Sequence, residues 1–423
     1  MPVLLWLRYD WQSKKDLSDA IAESEALGPL DFRKLLAPAP PAPENGYEEA
    51  RKATLLLRYS KEKMTEEERT LLADVWESGP GERENVRRIV EANRQALDDL
   101  RRGLDRPHIH FSMTVPEKKP LLEMLLPHIG EFREAGRFLS LCAFLEAESG
   151  DPSGAVEDAV RIARLGRSLR EDATFLISGL ISVDLNRMAC KAADRALSGG
   201  LTVDGECLRR LLSSVGFAPD FGRRCLIGER AMGHDACRWI LETGLVKDIS
   251  RGSDSYDGPA LFLVRPYFRQ DNAAYLRMLN EDIRNADKAP ALSEMSGHRP
   301  PLESAGILSA MLRPAHEKAR MEFAKARAFA DAIRWGIALR LAHEKIGSLP
   351  STLDEVPAEC IPDRPLDPFT GKPFVYKPDA DGGGFLLYGV GPDRKDDGGA
   401  LKYDAKGESP DIGIRWKLPP AGK

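Results

Sequence analysis

Apolar residues recur three or four positions apart over most of this chain, from Tyr47 to about His343. That spacing places them on one face of a helix. Phe132, Ala135, Gly136, Leu139, Cys142 and Ala143 make one such stripe. Phe329, Ile333, Ile337 and Leu341 make another, on a long helix predicted from about Pro314 to Lys345. Gly347 and Pro350 stop it, one by accepting a left-handed cap and the other by lacking an N–H. Thr65 precedes Glu66, Glu67 and Glu68, an N-cap hydroxyl followed by the acidic first turn that the helix dipole favours. The run GERENVRRIVEANRQALDDLRRGL continues as helix to near Gly103, and PHIHFSM, 107–113, is a short extended break. Residues 244–302 carry Gly252, Gly258, Pro266, Pro290, Pro300 and Pro301, which predict short, interrupted helices.

The turn Ser149-Gly150-Asp151-Pro152 ends one helix and starts the next, SGAVEDAVRIARLGRSL. Small residues Gly136, Ala143, Ala155 and Ala159 would let the two approach closely. The pair resembles a single tetratricopeptide-type hairpin, and no second copy follows at a fixed period. After Pro350 the pattern changes to turns and short strands. DPFTGKP is a turn, Phe374–Tyr376 a strand, DADGGG a hairpin connection, FLLYGV (385–390) its partner, and IGIRWKL (412–418) a last strand. The fold class expected is therefore mainly α, a helical-hairpin body with a small α+β C-terminal part holding a short antiparallel sheet. Three regions follow: an N-terminal segment with a Pro-rich linker (1–45), the helical body (46–305), and the long helix with the sheet (306–423). The linker APAPPAP, 37–43, favours extended polyproline II and reads as a spacer.

Composition narrows the function classes. Lys and Arg number 61 against 66 Asp and Glu, a net charge of -5, which disfavours a nucleic-acid binder. No apolar run approaches the ~20 residues that span a bilayer. The apolar core Val3–Leu7 is shorter than the roughly 7–15 residues of a signal-peptide core. Six cysteines without a CxxC pair read as buried thiols. Paired His108 and His110, and the trio His234, Cys237 and Cys225, are weak metal candidates that lack matching partner motifs. No phosphate-binding loop, nucleophile elbow or HExxH run occurs.

One stretch concentrates chemistry: GPDRKDDGG, 391–399, with three aspartates between glycines. By spacing alone it is a solvated acidic turn, since the alternating aspartates of an EF-hand are absent. The order around it carries a resemblance. A helix ending ALRLAHEKIGSLPSTLDEV is followed by RPLDPFTGKPFVY, then GFLLYGVGPDRKDDGG, then SPDIGIRW. This order resembles the C-terminal region of the major pseudopilin of type II secretion systems, over the last fifth of the chain. Phe369 stands where that family has tryptophan, and Thr370 is inserted before Gly371. The family's leader and continuous apolar N-terminal helix have no counterpart ahead of residue 329. The whole chain resembles planctomycete-type proteins that join a helical body to such a tail, through ENGYEEARKATLL, LLPHIGEFREAGRFLSLCAFLEAESGDPSGAVEDAVRIARLGRSL and LISGLIS.

The resemblance implies a structural calcium ion in the acidic loop. By motif position Asp393 and Asp411 are its ligands, Asp396 and Asp397 are added carboxylates, and Asp404 is a weaker candidate. Calcium suits such a loop because it takes 6–8 oxygen ligands in flexible geometry. The function expected is a non-enzymatic structural or protein-interaction protein with a protein partner, linked to type II secretion or pilus-like machinery. The resemblance also implies an extracytoplasmic or membrane-anchored location, reached through an anchor upstream of or removed from this chain. The alternative is an enzyme or anion-binding protein whose site lies in 244–302, around Arg265, Arg269 and Asp271.

Overall fold

A computed structural model describes residues 2–77, 80–117, 119–124, 126–172, 175–243, 259–286, 307–401 and 411–419. Among them the chain is mainly helical. The helices are α1 (Pro2–Glu25), α2 (Tyr47–Lys61), α3 (Glu66–Ala73), α4 (Arg83–Ala92), α5 (Arg94–Leu104), α6 (Pro127–Glu148), α7 (Pro152–Asp172), α8 (Leu176–Leu197), α9 (Gly205–Ser214), α10 (Phe221–Thr243), α11 (Pro259–Arg284) and α12 (Ile307–Ile346). Strands β1 (Val375–Pro378), β2 (Gly384–Gly389) and β3 (Ile412–Lys417) form one antiparallel sheet in the order β1-β2-β3.

Local chemistry explains most boundaries. Thr65 closes a capping box on α3: its hydroxyl accepts the Glu68 amide, and the Glu68 carboxylate accepts the Thr65 amide. The run expected as one helix from residue 81 is two. Asn93 leaves helical geometry between α4 and α5, and its side-chain amide donates to the Ile89 carbonyl at 2.8 Å. In the other direction, Pro266 does not interrupt α11, which runs straight through it. The long C-terminal helix likewise begins before Pro314. Gly252, Gly258, Pro290, Pro300 and Pro301 lie outside the described residues.

The hairpin α6–α7 is present, and α8 completes it as a three-helix core. Leu185 of α8, fully buried, sits between two glycines of its neighbours. A Cβ on Gly136 of α6 would lie 2.4 Å from its Cδ2, and one on Gly166 of α7 would lie 3.3 Å from its Cβ. Gly136 thus admits α8 rather than α7. Ala143, Ala155 and Ala159 are fully buried in the same core. Close packing of this kind forfeits stability when a methyl group is added or lost.

The N-terminal segment does not stand apart. The α1 helix runs alongside α11: Tyr9 Oη donates to Gln270 Oε1 at 2.6 Å, Asp10 pairs with Arg269, and Ser24 Oγ donates to Asn280 Oδ1 at 3.1 Å. Arg230 of α10, also buried, donates to the same Asn280 oxygen at 2.6 Å and to the Gly28 carbonyl at 2.7 Å. At the other end α12 packs on α8, with Arg187 and Glu322 paired at 2.8 Å. Buried Arg340 of α12 donates to the carbonyl of Leu197, the last residue of α8, and to that of Leu201 in the segment after it, so one unpaired C-terminal carbonyl of α8 is served. Contacts therefore cross both region boundaries expected near residues 45 and 305.

Candidate functional site

The site begins with the middle strand. All six residues of β2 are buried, so both faces of the sheet are covered. On the inner face Phe385 opposes Trp416 and Leu387 opposes Ile414. These side chains press on α12, where a Cβ on Gly336 would lie 2.4 Å from Ile414 Cδ1 and 2.7 Å from Trp416 Cζ3. Alternation along the strand sends Leu386 and Tyr388 to the outer face. The acidic loop covers them there: a Cβ on Gly399 would lie 2.5 Å from Leu386 Cδ2 and 2.9 Å from Tyr388 Cε1.

Four aspartates expected as ligands occupy this loop and its return, in graded environments. Asp393 is half-buried, Asp396 and Asp397 are exposed, and Asp411 is fully buried. Asp404 lies outside the described residues. Asp393 Oδ1 accepts the Lys395 amide at 3.1 Å. Asp396 Oδ1 accepts the Gly398 amide and the Tyr388 hydroxyl, both at 2.9 Å. Asp411 Oδ2 accepts the Gly399 amide at 2.8 Å, closing the loop onto β3. The backbone turns sharply to allow this, with positive φ at Gly391, Arg394, Gly398 and Gly399.

The electrostatics divide the carboxylates. Burial pushes Asp411 above the usual carboxylate range, amides of Gly399 and Asp397 pull it down, and the charges of Asp396 and Asp397 push it up again. Asp396 is held below its ordinary value by the Gly398 amide and the Tyr388 hydroxyl. Lys377 adds one cation, donating to Tyr388 Oη at 2.9 Å with its ammonium 5.1 Å from the ring centre. The donors are all oxygens, which suits a hard cation such as calcium. Among the described residues no group of three or more His, Cys, Asp or Glu side chains is assembled to hold a metal. The carboxylate oxygens named above accept amide N–H groups and, at Asp396, the Tyr388 hydroxyl.

A fifth carboxylate, which sequence reasoning passed over, anchors the site. Asp367, buried in the DPFTG turn, accepts the Phe369 amide at 3.0 Å, the Thr370 hydroxyl at 2.8 Å and the Val390 amide at 3.2 Å. It joins the turn before β1 to the start of the acidic loop. The motif shows only a turn; the Val390 contact is tertiary and leaves no local signal.

The other candidates separate. His108 is exposed beside Glu44 at 3.6 Å, while His110 is buried. His234 meets Asn272 at 3.3 Å, and Cys225 packs against Gly179. All six cysteines are buried free thiols. Arg265, Arg269 and Asp271 share α11, and the Arg269 guanidinium is paired with Asp10. The chain matches no protein-family model, no curated protein and no solved structure.

Proposed function

We propose that this chain is a non-enzymatic structural or protein-interaction protein of the cell envelope, in which the helical body carries the C-terminal sheet as a fixed docking element. A pseudopilin-type role beside type II secretion or pilus-like machinery, outside the cytoplasm, is part of that reading. The observation that supports it is the way the sheet is held. Trp416 and Ile414 lock its inner face onto α12, so the loop over its outer face keeps one orientation relative to the body. A buried charge elsewhere joins helices, as Asp158 of α7 does with half-buried Arg101 of α5.

In this reading calcium is structural. Asp393, Asp396, Asp397 and Asp411 would supply its oxygens, and the ion would offset the repulsion that Asp396 and Asp397 exert on Asp411. Thermal unfolding of the full chain with EDTA and then with added calcium tests this. Calcium should raise the midpoint, because a ligand that binds only the folded state stabilises it. Asp411→Asn should lose that rise. No shift in either condition would remove the ion. Co-elution with a purified type II major pseudopilin tests the partner separately, and two independent peaks would remove the secretion link.

A further inference from the structure

The shared N-terminal end of α1 and α11 is unlike the rest of the surface. Eight of the fifteen exposed large apolar side chains among the described residues lie there. Val3, Leu4, Leu7 and Trp11 are between 51% and 71% exposed. At about 100° per residue they form one stripe on α1, turned away from the face that carries Tyr9, Ser13 and Ala20 toward α11. Leu263 and Tyr267 of α11, 56% and 62% exposed, stand at the same end. They are brought there by the Trp6 indole, which donates to the Leu263 carbonyl at 3.4 Å, and by Tyr9 and Tyr267, whose ring centres are 5.1 Å apart.

Charge reverses at this end. The first fifteen residues hold Arg8, Lys14 and Lys15 against one carboxylate, Asp10. Residues 259–270 hold Arg265 and Arg269 and no acid. Five basic side chains against one carboxylate give these two stretches a charge of +4 on a chain of net charge -5, and the next residue of each, Asp16 and Asp271, is acidic. Asp10 is already bound by Lys14 at 2.6 Å and by Arg269. The Lys15 ammonium lies 5.9 Å from the Trp11 ring centre, at the edge of the stripe. Farther along α1 the sign changes, with Asp16, Asp19, Glu23 and Glu25.

We infer that this end of the α1/α11 pair docks on an anionic lipid surface, with the Val3–Trp11 stripe entering the boundary between headgroups and acyl chains. An apolar stripe bordered by tryptophan, tyrosine and basic side chains matches that boundary chemically. No helix among the described residues is long and apolar enough to cross a membrane. A second copy is a poorer occupant. A two-fold contact would set the same +4 patch against itself, and like charges across an interface are costly. The inference uses no residue of the C-terminal sheet and stands apart from the reading of the acidic loop.

The test is flotation of the full chain with phosphatidylcholine vesicles and with vesicles that also contain phosphatidylglycerol. Binding should require the anionic lipid, fall as salt rises, and shift tryptophan emission to the blue. Arg8→Glu with Lys15→Glu should weaken it about 30-fold or more, since each basic residue near the surface adds to the attraction. Leu4→Glu with Leu7→Glu should abolish it; both side chains are exposed, and matching melting curves would show the body intact. Equal binding to neutral vesicles, or none to anionic ones, would overturn the inference. So would a lipid-free dimer in sedimentation velocity that the Leu4→Glu, Leu7→Glu variant dissociates. If a variant fails to fold, the salt and lipid dependence of the unaltered chain decides.

Discussion

The indole N–H of Trp416 donates to Asp194 Oδ1 at 2.7 Å, tying the last strand of the chain to α8. Trp416 is fully buried, and the surrounding apolar packing raises Asp194 to about 6, while the indole and Arg195 pull it down. The folded pKa lies above the unfolded one, so the folded state holds more protons between the two. The stability this group contributes is fully present below about pH 4 and is lost as pH rises through about 6. Asp194→Asn keeps the acceptor for Trp416 and removes the charge. Between pH 5 and 7 the unaltered chain should lose on the order of 1 kcal/mol that the variant retains. Urea titrations of both at the two pH values measure the difference. Asp331, also raised to about 6, keeps some pH dependence in both proteins, so parallel curves would show that Asp194 does not titrate as described.

Gly336 and Trp416 define how closely the sheet approaches α12. A Cβ at Gly336 would enter the space of Ile414 and Trp416. Overpacking of a filled core costs about 1–3 kcal/mol, and replacing glycine inside a helix returns about 1 kcal/mol. Gly336→Ala should therefore be mildly destabilising and Gly336→Val clearly so. Because the strain falls on Trp416, its fluorescence should redden as the sheet lifts. Val and Ala variants that melt like the parent would mean that the sheet has room to move.

What was legible in the chain was whatever short-range pattern determines. The α12 stripe of Phe329, Ile333, Ile337 and Leu341 is buried as its spacing implies, and Thr65 caps α3. The three strands fall within two residues of their expected bounds. Two features were hidden for physical reasons. The first turns of α1 carry their apolar side chains outward, and its packing partners Gln270 and Asn280 lie far along the chain. Pro266 predicts a break because proline removes one hydrogen bond, but a helix packed against α1 and α10 tolerates that loss. In the candidate site, composition located the aspartates of the loop; their graded burial and the role of Asp367 come only from tertiary contacts.

Asp367 is a position in the candidate site where loss of one carboxylate should be felt directly. Asp367→Ala would leave the amides of Phe369 and Val390 and the Thr370 hydroxyl without their acceptor inside the fold. Each unmet buried donor costs about 1–3 kcal/mol, so a total loss of roughly 3 kcal/mol is expected after partial relaxation. Asp367→Asn retains one acceptor oxygen but turns an NH2 group toward donors, and should fall between the two. Chemical unfolding gives the values, and equal stability of the Ala variant would show that water replaces all three bonds.

Gly399 tests whether the acidic loop covers the sheet independently of any ion. Its φ is 87°, in the region that disfavours side chains, and a Cβ would press on Leu386 and Tyr388. Gly399→Ala should lift the loop from the outer face of β2 at a cost of about 1–3 kcal/mol. Arg394 and Lys395 are exposed in that loop and are substrates for trypsin once the backbone there can extend into the protease. Cleavage at these two positions should be slow in the parent and at least several-fold faster in the variant. Adding calcium separates the two ways of holding the loop. If packing alone holds it, calcium leaves both rates unchanged. If the aspartates bind the ion, calcium slows cleavage in both proteins, and the slowing disappears on introducing Asp411→Asn.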